Sequence, residues 1–166
     1  MTTSKAERRL NLNKILILGY GNPAREDDAL GPAVASEIEK LCIQGVTVDS
    51  NYQLNVEDSA AIAEYDTVVF VDAASEGEEP FSFYPIKPRI TESFLSHSVE
   101  PELVYGLSRE LFGAKTGAYM LGVRGYSFGM FRENLTEGAR ENMKEAVRFL
   151  TEILKSGSFD RFAKNR

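Results

Sequence analysis

The chain has 166 residues, 43% of them hydrophobic and 27% charged, with a formal net charge of -6. That length suits one domain, in which folding buries roughly 70% of the surface of the unfolded chain. The acidic balance argues against a nucleic-acid partner, which needs a basic face for its phosphates, and no apolar run is long enough to span a membrane.

Residues 1–13, MTTSKAERRLNLN, form a polar N-terminal segment without the apolar stretch of a secretory signal, so the expected compartment is the cytoplasm. A single α/β domain is expected over 14–155. Ile15 to Leu18 is a continuous apolar run, as in a strand covered on both faces. Gly19 and Gly21 follow, then Asn22, Pro23 and the acid pair Asp27 and Asp28. A helix begins near Asp28 to Leu30, because Pro32 suits only a first turn. Ala33, Val34, Ile38 and Leu41 mark its inner face. Cys42, the only cysteine, reads as a small buried hydrophobe and excludes an intrachain disulfide.

Val46 to Val48 is a short second strand and Asp49 to Leu54 a polar loop. Asn55 is placed to cap a second helix running to about Ala63. The third strand, Asp66 to Ala73, is the most β-prone run and carries Asp72 near its end. Phe81 to Ile86 alternates, but Pro85 and Pro88 consign it to a sheet edge. Thr91 to Val99 contains the only histidine, His97. Pro101 opens a helix striped by Leu103, Leu107 and Leu111 and closed by Gly113. A last core strand lies within Ala118 to Phe128. The closing helix, from Thr136 as cap to about Lys155, repeats Ala139, Met143, Ala146, Val147, Leu150, Ile153 and Leu154 on one face. Residues 156–166 are a tail with two phenylalanines, either docked or disordered. The alternation of strands and helices predicts a three-layer α/β/α sandwich around a mostly parallel sheet of about five strands, phosphorylase/hydrolase-like.

Several chemistries compete for these residues. GYGNPA resembles a dinucleotide-binding turn only loosely: Pro23 removes an N–H, and the acid pair would repel a phosphate. No Gly-Lys-Ser/Thr follows to make a phosphate-binding loop. A serine hydrolase using Ser75, Ser96 or Ser98 with His97 lacks a nucleophile elbow, and neighbours of His97 reach its ring poorly. For Asp27 and Asp28, capping and the helix dipole require only one acid. Asp72 also has a local reading, as a turn aspartate. Yet Asp28, Asp72 and His97, brought from three loops to one crevice, would make a borderline first-row metal site suited to nickel, zinc or a similar ion.

GYGNPAREDDALGP, with Asp72 in VVFVDA and His97 in SHSVEP, resembles the hydrogenase maturation endopeptidases over about Lys14 to Leu154. That family trims the C-terminal extension from the large subunit of nickel-iron hydrogenases. The resemblance implies that Asp28, Asp72 and His97 contact nickel supplied by the substrate, the large-subunit precursor. It further implies that Asp28 and Asp72 are catalytic, one carboxylate or a metal-activated water assisting attack on the peptide bond. Gly19, Gly21 and Asn22 then form a supporting turn with room for a peptide, and Asp27 caps the helix or orients its neighbour. Two departures stand out: Asp28 occupies a position that is often Glu in better-known members, and NYQLN replaces a Gly-Gly-Thr-type loop. A monomer is expected. The alternative from another class is a non-catalytic, metal-dependent binding protein or chaperone of hydrogenase maturation using the same residues.

Overall fold

A computed structural model describes residues 13–90 and 99–164. Five strands form one sheet: β1 (Ile15–Tyr20), β2 (Val46–Asn51), β3 (Thr67–Ala74), β4 (Phe81–Pro85) and β5 (Gly117–Arg124). Their order is β2-β1-β3-β5-β4. The first four run parallel, and β4 closes one edge antiparallel to β5. An edge is where the prolines of this stretch place it, since Pro85 has no N–H to give a second neighbour.

Helices cover both faces. α1 (Leu30–Lys40), α4 (Glu137–Ser156) and α5 (Phe159–Phe162) lie on one side, α2 (Asp58–Ile62) and α3 (Pro101–Phe112) on the other. The pleat divides each inner strand between two cores. Ile15 and Ile17 of β1, with Val69 and Val71 of β3, face α1 and α4; Leu16, Leu18, Val68 and Phe70 face the other layer. Burial on both sides is why these strands read as unbroken apolar runs. The predicted three-layer sandwich is the architecture observed.

Local differences have physical causes. β2 continues through Asn51, pairing Asp49, Ser50 and Asn51 with Leu18, Gly19 and Tyr20, because ladder bonds override the polarity of those side chains. Asn55 does not cap α2 with its side chain; its backbone N–H instead donates to Asp58 Oδ2 at 2.8 Å. Leu41, at 48% exposure, and Leu111, at 64%, lie outside the core, and Ala33 is only partly buried; the inner face of α1 is Leu30, Gly31, Val34, Ala35 and Ile38. Cys42 is exposed just beyond α1, at φ 47°, not a core residue.

Both ends of α4 follow from sequence. Thr136 Oγ1 accepts the Ala139 N–H at 3.3 Å, and Gly157 takes the left-handed turn that ends the helix, at φ 70°. The tail is docked: Phe159 is buried and stacks on Tyr119 with ring centroids 5.4 Å apart, while Phe162 meets Phe149 edge-on.

Candidate active site

Chain order departs from β1 in both directions, to β2 on one side and β3 on the other. In a parallel sheet such a reversal leaves a crevice at the carboxyl ends of the two central strands. The loop after β1 and the end of β3 meet there.

The loop after β1 is shaped by backbone contact. Gly21 has φ 146°, and a Cβ on it would sit 2.0 Å from the Asp28 carbonyl oxygen, so only glycine serves. The Asn22 N–H donates to Asp28 Oδ2 at 2.9 Å, and Asn22 Oδ1 accepts the Ala24 N–H at 2.9 Å. Asn22 therefore spends its side chain on closing the turn. Gly19 lies under α1, where a Cβ would come within 2.5 Å of the Gly31 carbonyl oxygen.

Asp28 and Asp72 line one cavity of about 390 Å³, with Tyr20, Gly21, Tyr52 and Glu57 among its walls. Among the described residues its lining holds three carboxylates and no basic side chain. Burial is the main reason that the Asp72 carboxyl is pushed up to about 7, and the negative charge of Asp28 adds to it. The Ala73 N–H, 2.7 Å from Asp72 Oδ1, and a hydrogen bond from the Tyr20 hydroxyl oppose that rise. Tyr20 itself is kept a neutral donor far above its ordinary range, first by burial and then by the charge of Asp72. Carboxylate oxygens facing one concave space are donors of the kind a divalent cation takes, but among the described residues no group of three or more His, Cys, Asp or Glu side chains is placed to hold one.

Asp27 occupies a different environment. It is fully buried and points away from the cavity into the segment between β5 and α4. Its carboxylate accepts the backbone N–H groups of Tyr126 at 2.8 Å, Ser127 at 3.2 Å and Thr136 at 2.8 Å, and the Thr136 hydroxyl at 2.8 Å. Desolvation would raise its pKa, but these donors together hold it below the usual carboxylate value. Asp27 makes no cap bond to α1; it is a tie across the fold, and sequence spacing alone predicted a cap or an orienting neighbour. Gly125 leaves space for it, since a Cβ there would lie 2.8 Å from the Asp27 Cβ.

His97 lies outside the described residues, as do Ser96 and Ser98. The structure thus brings two of the three expected metal-contacting side chains together. It also adds Tyr20 and Tyr52, which no motif singled out: in sequence Tyr20 is one more strand residue and Tyr52 a loop residue.

No family model matches the chain, and no curated protein matches it by sequence. Solved structures do. The [NiFe] hydrogenase maturation protease HycI from Thermococcus kodakarensis KOD1 is 29% identical, with a TM-score of 0.67 over 86% of this chain and 93% of that one. In fold, and in sequence over most of both chains, this chain is thus similar to a hydrogenase maturation protease. The same fold recurs at 19% identity in the hydrogenase maturating endopeptidase HybD from E. coli, with a TM-score of 0.65 over 87% of this chain and 94% of that one. It recurs again, also at 19% identity, in the hydrogenase 2 maturation peptidase from Thaumarchaeota archaeon SCGC_AB-539-E09, with a TM-score of 0.63 over 86% and 98%. Within this maturation-protease fold, the crevice between β1 and β3 is where the chain carries its paired acids.

Proposed function

We propose that the chain is an endopeptidase that removes the C-terminal extension of a nickel-iron hydrogenase large-subunit precursor after nickel insertion, acting in the cytoplasm as a monomer. The observation that carries this reading is the convergence of Asp28 and Asp72 on one acid-lined cavity in a chain similar in fold and sequence to a hydrogenase maturation protease.

Asp28, Asp72 and His97 contact the nickel that the precursor already holds, so the metal serves as a recognition element and the precursor without it lacks the cation that those acids attract. Zinc or a similar divalent ion suits the same oxygen and nitrogen donors. Water attacks the scissile carbonyl, the C–N bond breaks, and the leaving amine takes a proton. Asp28 and Asp72 assist that attack. Gly19, Gly21 and Asn22 shape the turn beneath the peptide.

Asp28→Asn and His97→Ala are expected to remain folded and to leave nickel-loaded precursor uncut. A gel assay of precursor, with and without nickel, tests this: a mobility shift that needs nickel and is lost in both variants supports the reading. Stable co-purification without cleavage would instead mean a binding protein, and normal cleavage by both variants would remove the assignment of these residues.

A further inference from the structure

The acid-lined cavity has a neighbour on its β2 side. Beyond Gly21 and Tyr52, which belong to both spaces, lies a second cavity of about 270 Å³ walled by Gly21, Pro23, Pro32, Ser50, Asn51 and Tyr52. None of those six residues is charged. The contrast with the first cavity, whose described lining carries Asp28, Glu57 and Asp72, divides the groove into a compartment for a cation and one for neutral chain. We infer that the second cavity is a substrate subsite, taking an uncharged segment of the peptide that flanks the scissile bond, with Tyr52 as the residue that selects it. This rests on the endopeptidase reading.

Three features support it. Tyr52 is 74% exposed, so its ring is available as a face for an apolar or small side chain to pack against, with the aromatic area that recognition sites favour. The opposite wall is rigid: Pro23 and Pro32 have fixed φ, and Pro32 stands in the first turn of α1. The floor between the two spaces is backbone already committed, because the Gly21 N–H donates to the Asn51 carbonyl at 3.1 Å.

The geometry also separates this from simple strand addition. β2 is an edge strand, and an edge invites pairing through free N–H groups. At the cavity, however, the Ser50 N–H is taken by Asp49 Oδ1 at 2.8 Å. Recognition at this end of β2 therefore falls to the Tyr52 ring and the proline wall.

The test is steady-state cleavage of the nickel-loaded large-subunit precursor of the same organism by the wild type, Tyr52→Ala and Tyr52→Phe, with circular dichroism to check folding. Tyr52→Ala is expected to raise KM about tenfold with kcat within about twofold, while Tyr52→Phe keeps the wild-type KM. An aspartate placed in the precursor next to the scissile bond is expected to raise KM for the wild type. An unchanged KM in Tyr52→Ala, an equal rise in Tyr52→Phe, or indifference to the added aspartate in a wild type that cleaves normally would overturn the subsite alone. A wild type that cleaves no precursor would overturn the endopeptidase reading, and the subsite with it.

Discussion

Asp27, in the short 3-10 turn Glu26–Ala29, and Asp72, on β3, have opposite electrostatic fates. Asp27 is surrounded by donors and held ionised, whereas Asp72, which faces Asp28 across the cavity, has burial and a like charge against it. Asp27→Asn replaces an acceptor oxygen by an NH2 group that must face backbone N–H donors, so it is expected to cost about 2–4 kcal/mol, measurable by urea unfolding. Asp72 behaves in the reverse sense. Its native pKa of about 7 lies above the unfolded value, so the native state keeps the proton longer. Stability then falls as pH rises from about 4 to about 7, by at most ~1.4 kcal/mol per pH unit. Asp72→Asn cannot ionise, and its stability relative to the wild type is expected to grow across that window. Urea midpoints for both proteins at pH 4.5 and 7.5 check this, a constant difference being the contrary result. Asp28 and Asp72 could be read from the sequence because one follows an apolar strand and the other lies near the carboxyl end of one, and strand ends in a parallel sheet converge. The role of Asp27 could not, since its partners lie 99 to 109 residues away.

At the scale of elements, the tightest junction is α1 against β1 and β3. A Cβ on Gly31 would approach the carbonyl oxygens of Tyr20 at 2.3 Å and Val71 at 2.5 Å, so the helix rests directly on strand backbone. Helix propensity alone would make Gly31→Ala stabilising by about 1 kcal/mol. The clash is with backbone that cannot rotate aside, so overpacking wins: a net loss of about 2 kcal/mol is expected. Because the turn bearing Asp28 leads directly into α1, cleavage of precursor should fall with it. A thermal melt and the gel assay together check both halves. Elements with local signals were legible: α4 from its apolar periodicity and Thr136, α3 from Pro101 and Gly113, β4 from its prolines. Leu41 and Leu111 misled because each continues an apolar stripe to a helix end, where the opposing layer stops. β2 was read short because pairing with β1, which lengthens it, has no trace in its own residues.

For the whole molecule, the sheet is closed at its antiparallel edge by the last residues. Phe159 completes a cluster with Phe83, Tyr119 and Phe149, the Tyr119 hydroxyl bonds Asp160, and the Lys164 N–H donates to the Phe83 carbonyl at 3.0 Å. Phe159→Ala is expected to lower stability by about 3 kcal/mol without changing KM for precursor, because the site lies toward the opposite, β2 side of the sheet. Chemical unfolding and steady-state kinetics separate the two effects. Two phenylalanines among polar residues left the tail open to either reading; what decides it is the aromatic surface of β4 and β5, assembled from distant parts of the chain.

The tie made by Asp27 also sets an order of assembly. The turn that carries Asp28 belongs to the first fifth of the chain, but its partners Tyr126, Ser127 and Thr136 come after the final strand. During synthesis, a chain that has not yet delivered Thr136 has made Asp28 and Asp72 but not all the bonds that anchor the turn carrying Asp28. Competence to cut thus arrives late, after nearly all the fold exists, and a ribosome-bound fragment has the chemistry of the site without its geometry.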